Sequence, residues 1–240
     1  MNALIPLIHA DGDHMDAIRA LFCNYEKEKW VEILQMQDED GRTPLHWAVT
    51  LKRPQLFDYL VSLLSPEEIS PIINCTDDGG WTPLLSAASS GQANLCQRLL
   101  QLGASAEVRG KNGASTLHYC CSKGHLGVMK VLMDGASLPL DHCSADLQGV
   151  TPLHRAAAMN HVPIVEYILS LPPSVGLDID AVDANGETAL FYACQDAADA
   201  VAQLLVEEGA RIEIKNAKGQ SALDVVAAPL KERLLRIVEG

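Results

Sequence analysis

The chain has 240 residues, of which 48% are hydrophobic and 20% are charged, a balance typical of globular rather than disordered proteins. Aromatic residues make up only 5% of it, which favours short, closely packed helices over a β-sandwich, so we expect an all-α fold. The formal net charge is −13, and such a field repels phosphate backbones and anionic lipids. Nucleic acids and membranes are therefore poor partners, and a predominantly basic protein surface is a good one.

Cysteine usage and terminal composition indicate the compartment. The seven cysteines are an odd number and form no Cys-x-x-Cys pair, which is typical of reduced thiols in the cytoplasm and nucleus. No apolar run reaches the roughly 18 residues that a membrane span requires. The first ten residues are apolar but lack a basic segment, so we do not expect a signal peptide.

A short motif recurs along the chain. A glycine is followed two residues later by Thr or Ser and four residues later by Leu, and the copies lie 33 to 39 residues apart. The six glycines are Gly41, Gly80, Gly113, Gly149, Gly186 and Gly219. Both the period and the Thr-Pro-Leu-His motif, complete at 43–46 and 151–154, resemble the ankyrin repeat. The sequence therefore predicts an ankyrin-repeat solenoid.

Each unit is predicted to contain two antiparallel helices. The Thr or Ser can cap the first helix, and a following Pro has no amide that needs a partner there. An apolar pair in the second helix, such as Leu60-Val61 or Leu132-Met133, keeps one distance from the glycine in five units. The extra residues of the longer units are therefore predicted to form loops after the second helix. These loops are 65–71, 138–143 and 171–177.

The predicted domain organisation is one domain over residues 1–240. Residues 38–218 form five full repeats, residues 1–37 form an N-terminal capping unit, and residues 219–240 form a C-terminal capping unit. The caps are expected because the end units of a solenoid expose one face to water. The whole chain is thus predicted to stack seven units.

The sequence lacks the patterns that catalysis or metal binding requires. Zinc needs three or four converging ligands, whereas most of the eight histidines recur with the repeat. His46, His118 and His154 follow the helix start, where we expect an internal hydrogen bond to the neighbouring turn. No nucleophile motif, phosphate-binding loop or His-Glu-x-x-His is present. We predict a protein that is not an enzyme and has no metal, cofactor or catalytic residue.

A partner is predicted to bind the concave face, which the hairpin tips and first helices of a solenoid form. The sixth residue after each glycine lies there, and Trp, Tyr and Arg at this position are typical interface anchors. The predicted partner-binding residues are Asp40, Arg42, Trp47, Asp78, Trp81, Tyr119, Lys123, Arg155, Tyr192 and Asp196. The tips also contain Asp38, Asp77, Asp146 and Asp183. As alternatives, Trp47 packs between units and the tip charges are solvated turn residues.

Several segments resemble the gankyrin family. They are Gly41-Arg-Thr-Pro-Leu-His-Trp-Ala48, Asp77-Asp-Gly-Gly-Trp-Thr-Pro-Leu84, His154-Arg-Ala-Ala-Ala158 and Arg236-Ile-Val-Glu-Gly240, and the resemblance covers essentially the whole chain. It implies a seven-repeat chaperone of proteasome regulatory-particle assembly. Its concave face would bind the C-terminal helical domain of one ATPase subunit and block premature docking on the core particle.

Some features depart from that family. Leu85 and Phe191 replace helix-start histidines, and Tyr192-Ala-Cys-Gln-Asp196 lacks the Leu and Glu of a retinoblastoma-binding motif, so that partner is not expected. The competing hypothesis is an ankyrin adaptor or a kinase-inhibitor-like signalling module. In either case we expect a monomer.

Overall fold

The helices form as the repeat predicts. The computed structural model describes residues 4–10, 14–135, 145–172 and 176–239. Apart from one antiparallel bridge between Val182 and Thr188, the described residues form helices joined by turns and irregular segments, and the all-α prediction is confirmed. The helices are α1 Leu4–His9, α2 Met15–Cys23, α3 Glu28–Gln35, α4 Pro44–Thr50, α5 Pro54–Ser62, α6 Pro66–Ile73, α7 Pro83–Ser89, α8 Ala93–Gln101, α9 Thr116–Lys123, α10 Leu126–Gly135, α11 Pro152–Ala158, α12 Val162–Leu169, α13 Ala189–Gln195, α14 Asp199–Glu207, α15 Ala222–Val225 and α16 Ala228–Glu239.

Each repeat contributes one helix to each of two layers. First helices start at the predicted caps: the Thr82 hydroxyl accepts from the Leu85 amide at 3.2 Å, and Pro83 begins α7. These helices pack in chain order α4, α7, α9, α11, α13. The second helices form the other layer and bury the predicted apolar stripe, including Leu56 and Leu60 on α5. One apolar core runs between the layers along the whole stack. Within the described residues, no helix is both long and apolar enough to cross a membrane.

Histidines connect neighbouring units. The predicted internal bond is confirmed, because His46 Nδ1 accepts from the Thr43 amide at 3.1 Å. The other ring nitrogen lies 2.9 Å from the Trp81 carbonyl oxygen in the next unit. The same pair of contacts recurs at His118 and His154, which reach the next unit at 2.9 and 3.0 Å. These histidines therefore stabilise both a helix start and a unit boundary.

A second histidine position faces the preceding unit. The Nε2 atoms of His125 and His161 lie 3.2 Å from the carbonyl oxygens of Ser89 and Ser122. Each of these histidines packs against the turn between the paired helices of the preceding unit, at Gly91 for His125 and at Gly124 for His161, with φ of +76° and +77°. Glycine adopts this conformation without strain, and the equivalent turn residues of the other full repeats, Lys52, Asn160 and Ala197, also have positive φ.

One predicted loop was wrong. Residues 65–71 were expected to be irregular because they contain Ser and Pro, but α6 spans Pro66–Ile73. The Ser65 amide donates to the Glu68 carboxylate at 2.7 Å, and Pro66 occupies the first turn, where proline is favoured. Ile69, Ile72 and Ile73 are buried, and the helix packs against α3. The inserted helix thus covers apolar surface next to the N-terminal end of the stack.

The other two predicted loops have different outcomes. Residues 138–143 lie outside the described residues. Of 171–177, the described residues are non-helical.

The ends of the chain pack on the stack through apolar side chains. Leu4, Ile8, Ile18 and Phe22 are buried on α1 and α2. The Arg53 guanidinium donates to the Ile8 carbonyl at 2.8 Å. At the other end, α16 buries Leu230 and Leu234 against α14. Glu232, Arg233, Arg236 and Glu239 of this helix remain exposed, so the C-terminal end presents a polar outer side.

The glycine at the turn generates a stability prediction. At Gly91, an added Cβ would lie 2.8 Å from the His125 ring in addition to the backbone strain at φ +76°. Gly91→Ala should lower the free energy of unfolding by roughly 2 to 3 kcal/mol in urea denaturation. The matched control is Gly103→Ala, which has φ +89° but no atom near the added carbon and should cost about 1 kcal/mol. Equal losses would contradict the close histidine contact.

The buried histidines generate a pH prediction. Burial lowers the pKa of His46, His118 and His154 below the ordinary 6.5, so the unfolded chain takes up protons at a higher pH than the folded chain. The free energy of unfolding should therefore fall as the pH drops from about 7.5 to about 5.5. His118→Leu, which copies Leu85 at the equivalent position, should make this fall smaller in urea titrations. An unchanged fall would mean that His118 is not protected from protonation by the fold.

Candidate partner-binding surface

The first helices present two rows of side chains. Each helix places one residue near its middle and another a turn later, a spacing that puts both on one face. We call these the inner row and the end row. The inner row is Trp47, Ser86, Tyr119, Arg155 and Tyr192, and the end row is Leu51, Ser90, Lys123, Met159 and Asp196. Six of the ten predicted site residues belong to these rows.

The end row was only partly found from sequence. Lys123 and Asp196 were predicted, but Leu51 and Met159 were not, although they occupy the same position in their units. Met159 is 56% exposed and Leu51 is 39% exposed. The repeat position, rather than the residue type, was the signal that could have found them.

The hairpin tips form a hydrogen-bonded ladder along one edge of the two rows. The Asp78 amide donates to the Asp40 carbonyl at 2.9 Å, and the Ala184 amide donates to the Gln148 carbonyl at 2.8 Å. Equivalent bonds join Lys111 to Gly79, Leu147 to Asn112, and Ala217 to Asn185. Since each tip is tied to its neighbour, the tips hold a fixed spacing.

In most tips, the carboxylate of an aspartate accepts hydrogen bonds from backbone amides of the same turn. The Asp146 Oδ1 atom accepts from the amides of Gln148 and Val150 at 2.9 and 3.1 Å, and Asp146 is only 7% exposed. Equivalent pairs of bonds are made by Asp38, Asp77 and Asp183. These four aspartates hold the turns together, so they are turn residues with internal hydrogen-bond partners rather than solvated charges.

The second oxygen of the tip aspartate fixes the inner row. The Trp47 indole N–H donates to Asp38 Oδ2 at 2.6 Å, and the Tyr192 hydroxyl donates to Asp183 Oδ2 at 3.1 Å. Arg155 pairs with Asp146 Oδ2 at 2.9 Å. The polar ends of these inner-row residues are therefore bound within the protein, which restricts their rotamers.

The pKa values reflect this internal pairing. Burial raises the pKa of Asp146, but hydrogen bonds from the Gln148 amide and the Arg155 guanidinium outweigh it and leave the pKa below its usual value. Burial and the Asp183 carboxylate raise the pKa of Tyr192 to about 12. Asp146 is therefore ionised and Tyr192 protonated near neutral pH.

Trp47 belongs to the inner row and also packs inside the protein. Its ring lies 3.9 Å from the His9 ring, edge to face, and 4.9 Å from the Arg42 guanidinium. The alternative that Trp47 packs between units is therefore confirmed for its ring. Sequence reasoning found no partner for His9, which the structure places here.

A cleft of about 410 Å³ opens between the tips of the first two full repeats. Its charged lining consists of Asp40, Asp77, Asp78 and Arg42, and Trp81 forms one side. Arg42 Nε lies 3.5 Å from Asp77 Oδ2, and the centroids of the Trp81 and Tyr119 rings lie 4.5 Å apart. Three carboxylates against one guanidinium give the cleft an excess of negative charge. Four predicted residues, Asp40, Arg42, Asp78 and Trp81, meet in it.

Within the described ranges, no three His, Cys, Asp or Glu side chains cluster as metal ligands would. The described cysteines are free thiols, and burial raises the pKa of Cys96 and Cys194 to about 12. These two thiols are protonated at neutral pH and are poor nucleophiles.

Comparison with known proteins identifies the family. The family model described as "Ankyrin repeats (3 copies)" matches residues 61–141, 106–177 and 137–216, and the one described as "Ankyrin repeat" matches 40–65. The chain belongs to the ankyrin-repeat family. It is a scaffold of the kind that binds other proteins, and the residues predicted to face a partner lie on the first-helix and tip side of that scaffold.

Several relatives are similar to this ankyrin-repeat chain. The "Probable 26S proteasome regulatory subunit p28" of Saccharomyces cerevisiae is 30% identical over 197 residues, which cover 80% of this chain and 82% of that protein. The "26S proteasome non-ATPase regulatory subunit 10" of Dictyostelium discoideum is 46% identical over 68 residues, 28% of this chain and 27% of that protein. The mouse "B-cell lymphoma 3 protein homolog" is 30% identical over 207 residues, 83% of this chain and 44% of that protein.

The two kinds of tip carboxylate should behave differently on mutation. Asp146→Ala removes a buried carboxylate that accepts two amides and pairs with Arg155, and should lower the free energy of unfolding by roughly 2 to 4 kcal/mol. Asp40→Ala, at an exposed carboxylate of the cleft, should change it by less than about 0.5 kcal/mol. Urea denaturation of both variants checks the difference. Similar losses would contradict the division between structural and exposed tip residues.

Proposed function

We propose that this protein binds the C-terminal helical domain of one ATPase subunit of the proteasome base and assists assembly of the regulatory particle. The observation that supports the proposal best is the pair of side-chain rows on the first helices, flanked by the acidic cleft. Relatives with proteasome names support the choice of partner, because the yeast protein aligns over most of both chains. In this role the protein is a monomer of the cytoplasm and nucleus.

The charge of the surface supports a partner of mixed but mainly basic character. The protein has a formal net charge of −13, and the cleft adds three carboxylates at one end of the concave face. Lys123 and Arg155 supply positive charge further along. Complementary charges steer a partner and fix its orientation more than they raise affinity. Binding should therefore weaken as salt is added.

An ankyrin adaptor in signalling is the second candidate function. The similarity to the mouse B-cell lymphoma 3 protein homolog favours it, since that alignment covers 83% of this chain. The same concave face would serve either role. The identity of the protein that co-purifies separates the two candidates.

Affinity purification from the source cell tests the proposal. The tagged protein should recover base ATPase subunits without the mature particle that carries the core. Lys123→Glu should reduce this recovery about tenfold or more, because Lys123 is exposed at the end of α9 and reversal of its charge would repel an acidic partner residue. The matched control is Lys130→Glu, which makes the same change at an exposed residue of the second helix α10.

The outcomes are distinct. Recovery of signalling proteins in place of ATPase subunits would overturn the proposal in favour of the adaptor. Recovery of ATPase subunits that is unchanged by Lys123→Glu, with a native circular dichroism spectrum, would show that the partner binds elsewhere on the protein.

A further inference from the structure

The end row changes character along the stack. On α9, α11 and α13 it presents a cation, an apolar side chain and an anion, namely Lys123, Met159 and Asp196. Lys123 and Asp196 are exposed, and Met159 is 56% exposed. A large apolar side chain held in water between opposite charges has no role in the core. Met159 is therefore available as an apolar contact for a partner.

The spacing of this row is set by helix packing. The helices α9, α11 and α13 pack on one another in order, and packed helices lie about 8 to 10 Å apart. Each of the three residues occupies the same position in its unit, at the end of the helix or the residue that caps it. The row therefore repeats at about that interval along the concave face.

An α-helix is the partner element that fits this interval. Seven residues of an α-helix rise about 10.5 Å and return to nearly the same face, so residues i, i+7 and i+14 can each meet one unit. An extended strand would cover the interval in about three residues, which places successive contacts on opposite faces. A strand therefore cannot present three side chains in line to this row.

We propose that the partner binds with a helix lying along the end row, bearing an acidic, an apolar and a basic residue at seven-residue intervals opposite Lys123, Met159 and Asp196. The inference rests on the proposed function, which supplies a helical domain as partner. The order of charges fixes the direction of the helix, and Met159 supplies the apolar anchor. The neighbouring inner-row residues Arg155 and Tyr192 are held by tip aspartates, so they stay clear of the row.

The charge and anchor pattern can be tested on the proposed partner. The C-terminal helical domains of the source organism's base ATPases are expressed singly and titrated calorimetrically with the wild-type protein. Met159→Ser, Lys123→Glu and Asp196→Lys should each lower the affinity for the domain that binds by about tenfold or more. The controls are Met36→Ser and Glu208→Lys, which make matched changes at exposed positions outside the row and should alter affinity less than about twofold.

A designed peptide separates failure of this inference from failure of the proposed function. A helical, alanine-based peptide carries Glu, Leu and Arg at seven-residue intervals, and a second peptide carries the same residues at five-residue intervals. The first should bind and lose binding to Met159→Ser, whereas the second should not bind. If no ATPase domain binds but the first peptide does, the proposed function fails and the inference stands. If a domain binds and the row variants leave its affinity unchanged, or if neither peptide binds selectively, the inference is wrong.

Discussion

Contact between neighbouring units is the constraint on which this structure depends, because a pair of short helices cannot bury its apolar side alone. Each first helix packs on the first helices of the neighbouring units and on the second helix of its own unit, and the second helices close the core from outside. Hydrogen bonds also connect each unit to its neighbours. His46 and its equivalents reach forward to a carbonyl of the next unit, while His125 and His161 reach back. The free energy of unfolding of such a stack is approximately the sum of a contribution from each unit and a contribution from each contact between neighbouring units.

The same boundary contacts prepare the surface that a partner meets. The tip ladder fixes the distance between turns, and the tip aspartates use one oxygen for the turn and the other for the inner row. Rings and guanidinium groups that would otherwise sample many rotamers are thus held before binding. A surface organised in advance loses less conformational entropy when a partner docks. Exposed charged residues, such as Asp40 and Lys123, can then select the partner through charge complementarity.

The sequence predicted the repeated parts of the fold because their positions depend on local chemistry. A Thr or Ser cap, followed by Pro in three of the units, and an apolar pair at constant distance placed the helices of the five full repeats. The inserted helix α6 was missed, because Ser65-Pro66 was interpreted as a loop signal although Glu68 completes a capping box. Of the candidate site, the cleft residues and the inner row were found by position. The internal pairing of Trp47 and Tyr192 was not predicted, since repeat spacing locates a side chain but does not show which polar atom it meets.

Hydrogen exchange on the complex tests most directly the central claim that one prepared face of the stack binds the partner. Amide protection is measured for the free protein and for the protein saturated with the ATPase domain that it recovers from cells. The account predicts added protection at the tips and at the ends of α7, α9, α11 and α13, with the second helices α8, α10, α12 and α14 unchanged. Protection concentrated on the second helices, or spread evenly over the chain, would contradict it.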